Sequence, residues 1–260
     1  MPLMRRVIIG LDKKLDQMRQ KYTFNKVGFY QGMAILFLVL TFVGFAPTFF
    51  LRALYVDQPL SIRFHIHGFF SASWVFIFLL QTFLIANGKI NFHQRIGILG
   101  AVTASGVLLS GLAILYYLVA GYPANGWELG QISGLVWGNI AVLICYSIFV
   151  SFGIAFRARP QIHKRLMLFA TLSIMGQPLT RIGHFDLFRV SDSLGVNDAI
   201  YGLGGIIVLF LIVGIYDMLI LGRPHRTFWW AISLQLGLTI VGGILIAPTE
   251  FGQGLIFLLN

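Results

Sequence analysis

Seven apolar runs divide the chain, at about 28–50, 66–87, 95–120, 132–156, 164–184, 200–221 and 228–247. Each is close to the ~20 residues that carry a helix, rising ~1.5 Å per residue, across a ~30 Å hydrocarbon layer. The pattern predicts an all-α, polytopic membrane bundle of seven transmembrane helices. The few polar residues inside the runs fall in register. In the fifth run Ser173, Gln177, Arg181 and His184 follow at steps of four, four and three, the period of one helix face. In the second, His67, Ser71, Trp74, Phe78 and Gln81 follow at steps of four, three, four and three. Lipid offers no hydrogen-bond partner, so Gln81 and Gln177 should face protein, water or a cofactor. Spans two and five are therefore expected to face one another. Pro178 cannot bond the carbonyl of Ile174, which predicts a kink or an opened turn beside Gln177.

Composition agrees with the pattern. Hydrophobic residues make up 57% of the 260, charged residues 11%, and mean hydropathy is +0.83, values that exclude a soluble domain. The net charge of +10 has to be read by position, because basic residues in membrane proteins mostly record topology. With the amino terminus in the cytoplasm, 15 of the 19 Lys and Arg lie inside, leaving Arg52, Arg63, Arg181 and Arg189 towards the outside. The expected topology is amino terminus in, carboxyl terminus out. Residues 1–26 carry seven Lys/Arg and two Asp, with Ile8, Leu11, Leu15 and Met18 at helical spacing. They read as a basic amphipathic helix on an anionic membrane surface, with residues 27–260 as the transmembrane domain. That arm has no uniform apolar core followed by a small-residue cleavage site, so no signal peptide is expected. The basic residues flank apolar spans and no nucleic-acid motif is present, so the bilayer is the expected partner and nucleic acid is not.

The chemistry-bearing residues fall into two groups. The outer group is His65, His67 and His184, with Arg181 and Asp186 nearby. The inner group is His93, His163 and His225, each just before an arginine in a cytoplasmic turn, with Asp217 about a turn deeper. This similarity suggests three related hairpins, although positive-inside bias acting on separate turns produces it equally well. The single cysteine, Cys145, excludes an intramolecular disulfide, a thiolate zinc site and a cysteine-ligated iron–sulfur cluster. No lysine follows Lys164, so no late-helix Schiff base is available, and the motifs of di-iron desaturases and zinc proteases are absent.

Histidine is the commonest metal ligand, and no thiolate competes for that role. The leading expectation is a redox protein centred on a b-type haem or a transition metal. His67 and His184 would form the outer ligand pair, assisted by Arg181 and lined by Gln177, Trp74 and Gln81. His65 is a further outer candidate, and His93 with His163 the inner alternative. The competing expectation is a transporter or receptor for a small anionic or lipid-like ligand, held where the helix breaks at Gln177 and Arg181. A third is an assembly subunit of a membrane complex or a homo-oligomer, its polar stripes merely pairing. Asp217 is the only carboxylate well within a span, and Arg165 or Arg223 is placed to neutralise it.

Several pieces resemble a broad group of uncharacterised bacterial multi-span membrane proteins. They are Gly44-Phe45-Ala46-Pro47, Phe49-Phe50-Leu51-Arg52, His65-x-His67-Gly68, Gln81, His93 with Arg95 and Gly97, Arg159-Pro160, and His163-Lys164-Arg165-Leu166-Met167. The resemblance spans roughly residues 40–226 and implies a bacterial cytoplasmic-membrane location; it brings no catalytic residue with it. A looser similarity to cytochrome b561-like proteins rests on histidines at span ends and implies haem, while the histidine spacing departs from that family's.

Overall fold

The computed structural model describes residues 28–121, 128–190 and 198–258. The basic arm at 1–26 lies outside the described residues. Among the described residues six helices are long and apolar enough to cross a membrane: α1 (Gly28–Phe50), α2 (Ile62–Ala86), α3 (Ile90–Gly121), α4 (Leu129–Ala155), α7 (Ile200–Leu221) and α8 (Arg226–Ile246). The fifth predicted span is built instead from two shorter helices in tandem, α5 (Pro160–Ser173) and α6 (Gly176–Gly183). A last helix, α9 (Glu250–Leu258), follows α8. All described regular structure is helical, and the chain is a multi-pass membrane protein.

Helix starts come earlier than the apolar pattern predicts, at Ile62 rather than 66 and at Ile90 rather than 95. The extra residues include Arg63, His65, Asn91 and His93, polar side chains that begin a helix at the membrane interface without being apolar. The turns from α2 into α3 and from α7 into α8 are short. Gly88 and Gly222 take left-handed backbone conformations there, with φ of 68° and 71°, which an L side chain adopts only with strain. Pro160 occupies the first turn of α5, where its missing N–H is not needed.

The break in the fifth span falls at Ile174 and Met175, one turn before Pro178. The Met175 N–H bonds the Leu172 carbonyl, and the Leu179 N–H bonds the Met175 carbonyl. The ladder thus restarts past the residue whose carbonyl Pro178 cannot bond.

α5 is the central element. Leu168, Phe169, Ala170, Thr171 and Leu172 are wholly enclosed. Phe169 stacks on Phe210 of α7, with ring centres 5.2 Å apart, and packs against Phe149 of α4 and Phe228 of α8. The peripheral helices turn large apolar side chains outward. Ile98, Val102, Leu109, Leu112 and Tyr116 form an exposed stripe on α3, and Val208, Leu211, Ile215 and Leu219 one on α7. Apolar surfaces this extensive need an apolar surrounding, which the bilayer provides.

Candidate functional site

The two histidines of the outer pair expected from the sequence each take other partners. His67 lies against α3: the Ser110 hydroxyl donates to the Gly106 carbonyl and so accepts from His67 Nδ1, at 3.0 Å. His67 Nε2 is left facing the Ser71 hydroxyl, at 3.5 Å. His184 instead directs Nε2 to Asp198 Oδ1 at the start of α7, at 2.8 Å. His65 is exposed, and its Nδ1 donates to the Ser61 carbonyl.

The expected polar stripe of the fifth span is dispersed as well. Ser173 is enclosed and donates to the Ala170 carbonyl. Gln177 donates to Asn139 Oδ1 on α4, at 3.0 Å. Arg181 lies over the Phe45 ring of α1, with Cζ 4.7 Å from its centre. The break at Ile174–Met175 resets the helical phase, so positions that share a face on a continuous helix address different neighbours here.

Spans two and five do meet, one turn or more inward of His67. Trp74 Nε1 donates to Thr171 Oγ1 of α5, at 3.2 Å, and the indole packs edge-on against Tyr146 of α4. His67 and Gln81, at the two ends of the second span's seam, are turned to α3 instead: Gln81 Nε2 donates to the His93 carbonyl, at 3.1 Å. Gln81 therefore belongs to the inner end.

At that end the structure brings together residues far apart in the chain. The rings of His93, on α3, and His163, on α5, stand edge to face with centres 6.1 Å apart. His163 Nδ1 donates to the Gly153 carbonyl of α4, at 2.8 Å, which fixes the tautomer and leaves Nε2 with its lone pair. His93 Nδ1 and Gln81 Oε1 are both enclosed and without a hydrogen-bond partner. An enclosed polar atom without a partner is costly, and two of them stand on residues that are bonded to one another. Among the described residues no group of three or more His, Cys, Asp or Glu is placed to hold a metal.

The same inner end holds a buried ion pair. Arg165 and Asp217 are 2% and 1% exposed, so the charges depend on one another rather than on water. Arg165 Nε donates to Asp217 Oδ2 at 3.1 Å, and Nη2 donates to Oδ1. Nη1 is taken up by the backbone and side-chain oxygens of Gln161, at 2.9 and 3.2 Å. Asp217 Oδ2 also accepts the His225 N–H at 3.1 Å, so the pair joins the start of α5, the end of α7 and the turn into α8. His225 in turn caps α8: its Nδ1 accepts from the Thr227 N–H. Burial lowers the affinity of His225 for a proton, and Arg165 lowers it further, with Asp217 acting in the opposite direction.

Of the partners, Arg165 for Asp217 is among the two that the sequence offers. Ser110, Asn139, Thr171 and Gly153 are not singled out by it. The available signal is that Ser110, Asn139 and Thr171 are polar residues inside apolar runs, where each must find protein; the Gly153 carbonyl gives no signal at all. No protein-family model, curated protein or solved structure compared with the chain matches it.

Proposed function

We propose that the chain is a redox protein of the bacterial cytoplasmic membrane, with a cofactor ligated by His93 and His163 near the inner surface. The observation that carries this reading is the facing histidine pair with enclosed, unpartnered atoms beside it. A metal bonded at about 2 Å to one nitrogen of each imidazole sets the ring centres about 5–6 Å apart; the observed 6.1 Å is close to that range. The Nδ1–H bond of His163 to a main-chain carbonyl is the usual second support of a metal-ligating histidine. Two histidines suit the iron of a b-type haem, or a single transition-metal ion whose other positions go to small ligands. A zinc site closed by three or four protein ligands does not suit the described residues. Bound there, the group would supply one-electron chemistry; the chain orients the two half-buried imidazoles.

The test is an absorption spectrum of the detergent-purified protein, oxidised and reduced, with elemental analysis. A Soret band or stoichiometric metal is expected, lost in His93→Ala and in His163→Ala and kept in His67→Ala and His184→Ala. Absence of both signals from the wild-type protein, or their survival in both inner variants, overturns the reading.

The topology belongs to the same proposal: α5 and α6 together make the fifth of seven crossings, with the amino terminus inside and the carboxyl terminus outside. Cys145 is enclosed, so introduced cysteines can report sidedness against little background. Tyr55→Cys should react with an impermeant maleimide on intact cells, and Arg157→Cys only after permeabilisation. The reverse labelling inverts the assignment.

A further inference from the structure

We infer that Arg181 holds the anion in a second site, at the outer end of the bundle, for a phosphate group. This site is separate from the histidine pair and does not rest on it. Arg181 closes the last turn of α6 against the π-wound end of α1, Ala46–Phe50. Its Nε is enclosed and has no hydrogen-bond partner, and among the described residues no carboxylate pairs with it. The two carboxylates that follow α6 most closely in the described chain are engaged elsewhere: Asp198 with His184 and Asp186 with Arg189, each at 2.8 Å. The Phe45 ring and the negative end of α6 offset only part of the cost of enclosing a guanidinium.

A second unsatisfied group lies close in sequence to the first one's support. Thr48, three residues beyond Phe45 in the π-wound turn, has an enclosed hydroxyl with no partner. An arginine that lacks a carboxylate is a donor for an oxyanion, and the Thr48 hydroxyl, close to Phe45 in the chain, is a further donor without an acceptor. The mounting is rigid. A Cβ on Gly44 would stand 2.5 Å from the Pro178 carbonyl oxygen, so α1 and α6 touch backbone to backbone beside the arginine. The exposed polar residues after α6, Asp186 and Arg189, put this turn at the depth of lipid headgroups, where phosphate is the abundant anion. Guanidinium geometry matches phosphate oxygens in pairs.

The phosphate could be that of an anionic lipid or free in solution, and the experiment separates the two. Thermal unfolding of the detergent-purified protein is followed by tryptophan fluorescence. Phosphatidylglycerol is compared with phosphatidylcholine, and inorganic phosphate with chloride at equal ionic strength. A rise with phosphatidylglycerol alone identifies the lipid headgroup, and a rise with inorganic phosphate identifies the free ion. In either case the apparent affinity should fall at least tenfold in Arg181→Gln and less in Thr48→Val, and should be unchanged in Arg63→Gln, an outer arginine that lies over Tyr117. Should Arg181→Gln fail to fold, Arg181→Lys takes its place, since it keeps the charge and loses the paired geometry. No rise with either anion in the wild-type protein overturns the inference, as does a rise that Arg181→Gln or Arg181→Lys leaves intact.

Discussion

At the inner end of the central helix pair an enclosed arginine meets an enclosed aspartate, whereas at the outer end an arginine of the same pair meets a phenylalanine ring. Arg165 has its guanidinium satisfied by Asp217 and Gln161 and is locked to three helices. Arg181 has an enclosed Nε with nothing to donate to. The histidines divide in the same direction. His67 and His184 at the outer side are engaged by Ser110 and Asp198, while His93 and His163 at the inner side face each other with polar atoms to spare. A buried charge is held in place by its partner, and a charge without one marks where a partner from outside would bind. The inner end is thus both the anchor of the bundle and the better candidate for a cofactor, and the outer end is left with a separate anion site.

The contrast can be broken at four points. Asp217→Asn strands the Arg165 charge in the interior, and the expected loss is about 3–5 kcal/mol of unfolding free energy, measured by denaturant titration in detergent. The double variant Arg165→Met with Asp217→Leu should recover most of that, because the cost lies in the stranded charge. Gly44→Val drives a side chain into the Pro178 backbone, and overpacking of this kind costs about 1–3 kcal/mol by the same titration.

A smaller effect depends on pH. His225 must be neutral at Nδ1 to cap α8, and its proton affinity is lowered in the fold. The unfolded chain therefore takes up a proton that the folded one resists as pH falls below the ordinary histidine value of 6.5. Stability from this cap is full above that pH and declines below it, by on the order of 1 kcal/mol. Unfolding at pH 7.5 and at 5.5 measures the difference, and His225→Asn, a capping residue that does not titrate, should flatten it. The smallest effect is expected at the outer end. Arg181→Met should change stability by within about 1 kcal/mol when no anion is added, because it removes a charge whose cost the Phe45 ring and the end of α6 offset only in part. A loss as large as that of Asp217→Asn would mean that Arg181 is as structural as Arg165, and the contrast would fail.

The sequence alone determined the class of the protein and most of its helix positions. A run of ~20 apolar residues has few alternatives to a spanning helix, because unsatisfied backbone groups are intolerable in lipid. It also marked Asp217 as needing a cation, since a lone carboxylate inside a span must be neutralised. The helical period misled where it was carried through the fifth span, because Ser173 to His184 share a face only if the helix is continuous. It likewise could not say that Gln81 and Trp74, on one face of α2, answer to different helices, α3 and α5. That His93 and His163, 70 positions apart, stand together is decided by how α3, α4 and α5 pack. Lipid-facing sequence is tolerant of many helix arrangements, so docking is decided by close contacts such as Gly44 on Pro178 and Arg165 on Asp217. Those contacts are tertiary, and they determine which polar groups are satisfied and which are left without a partner.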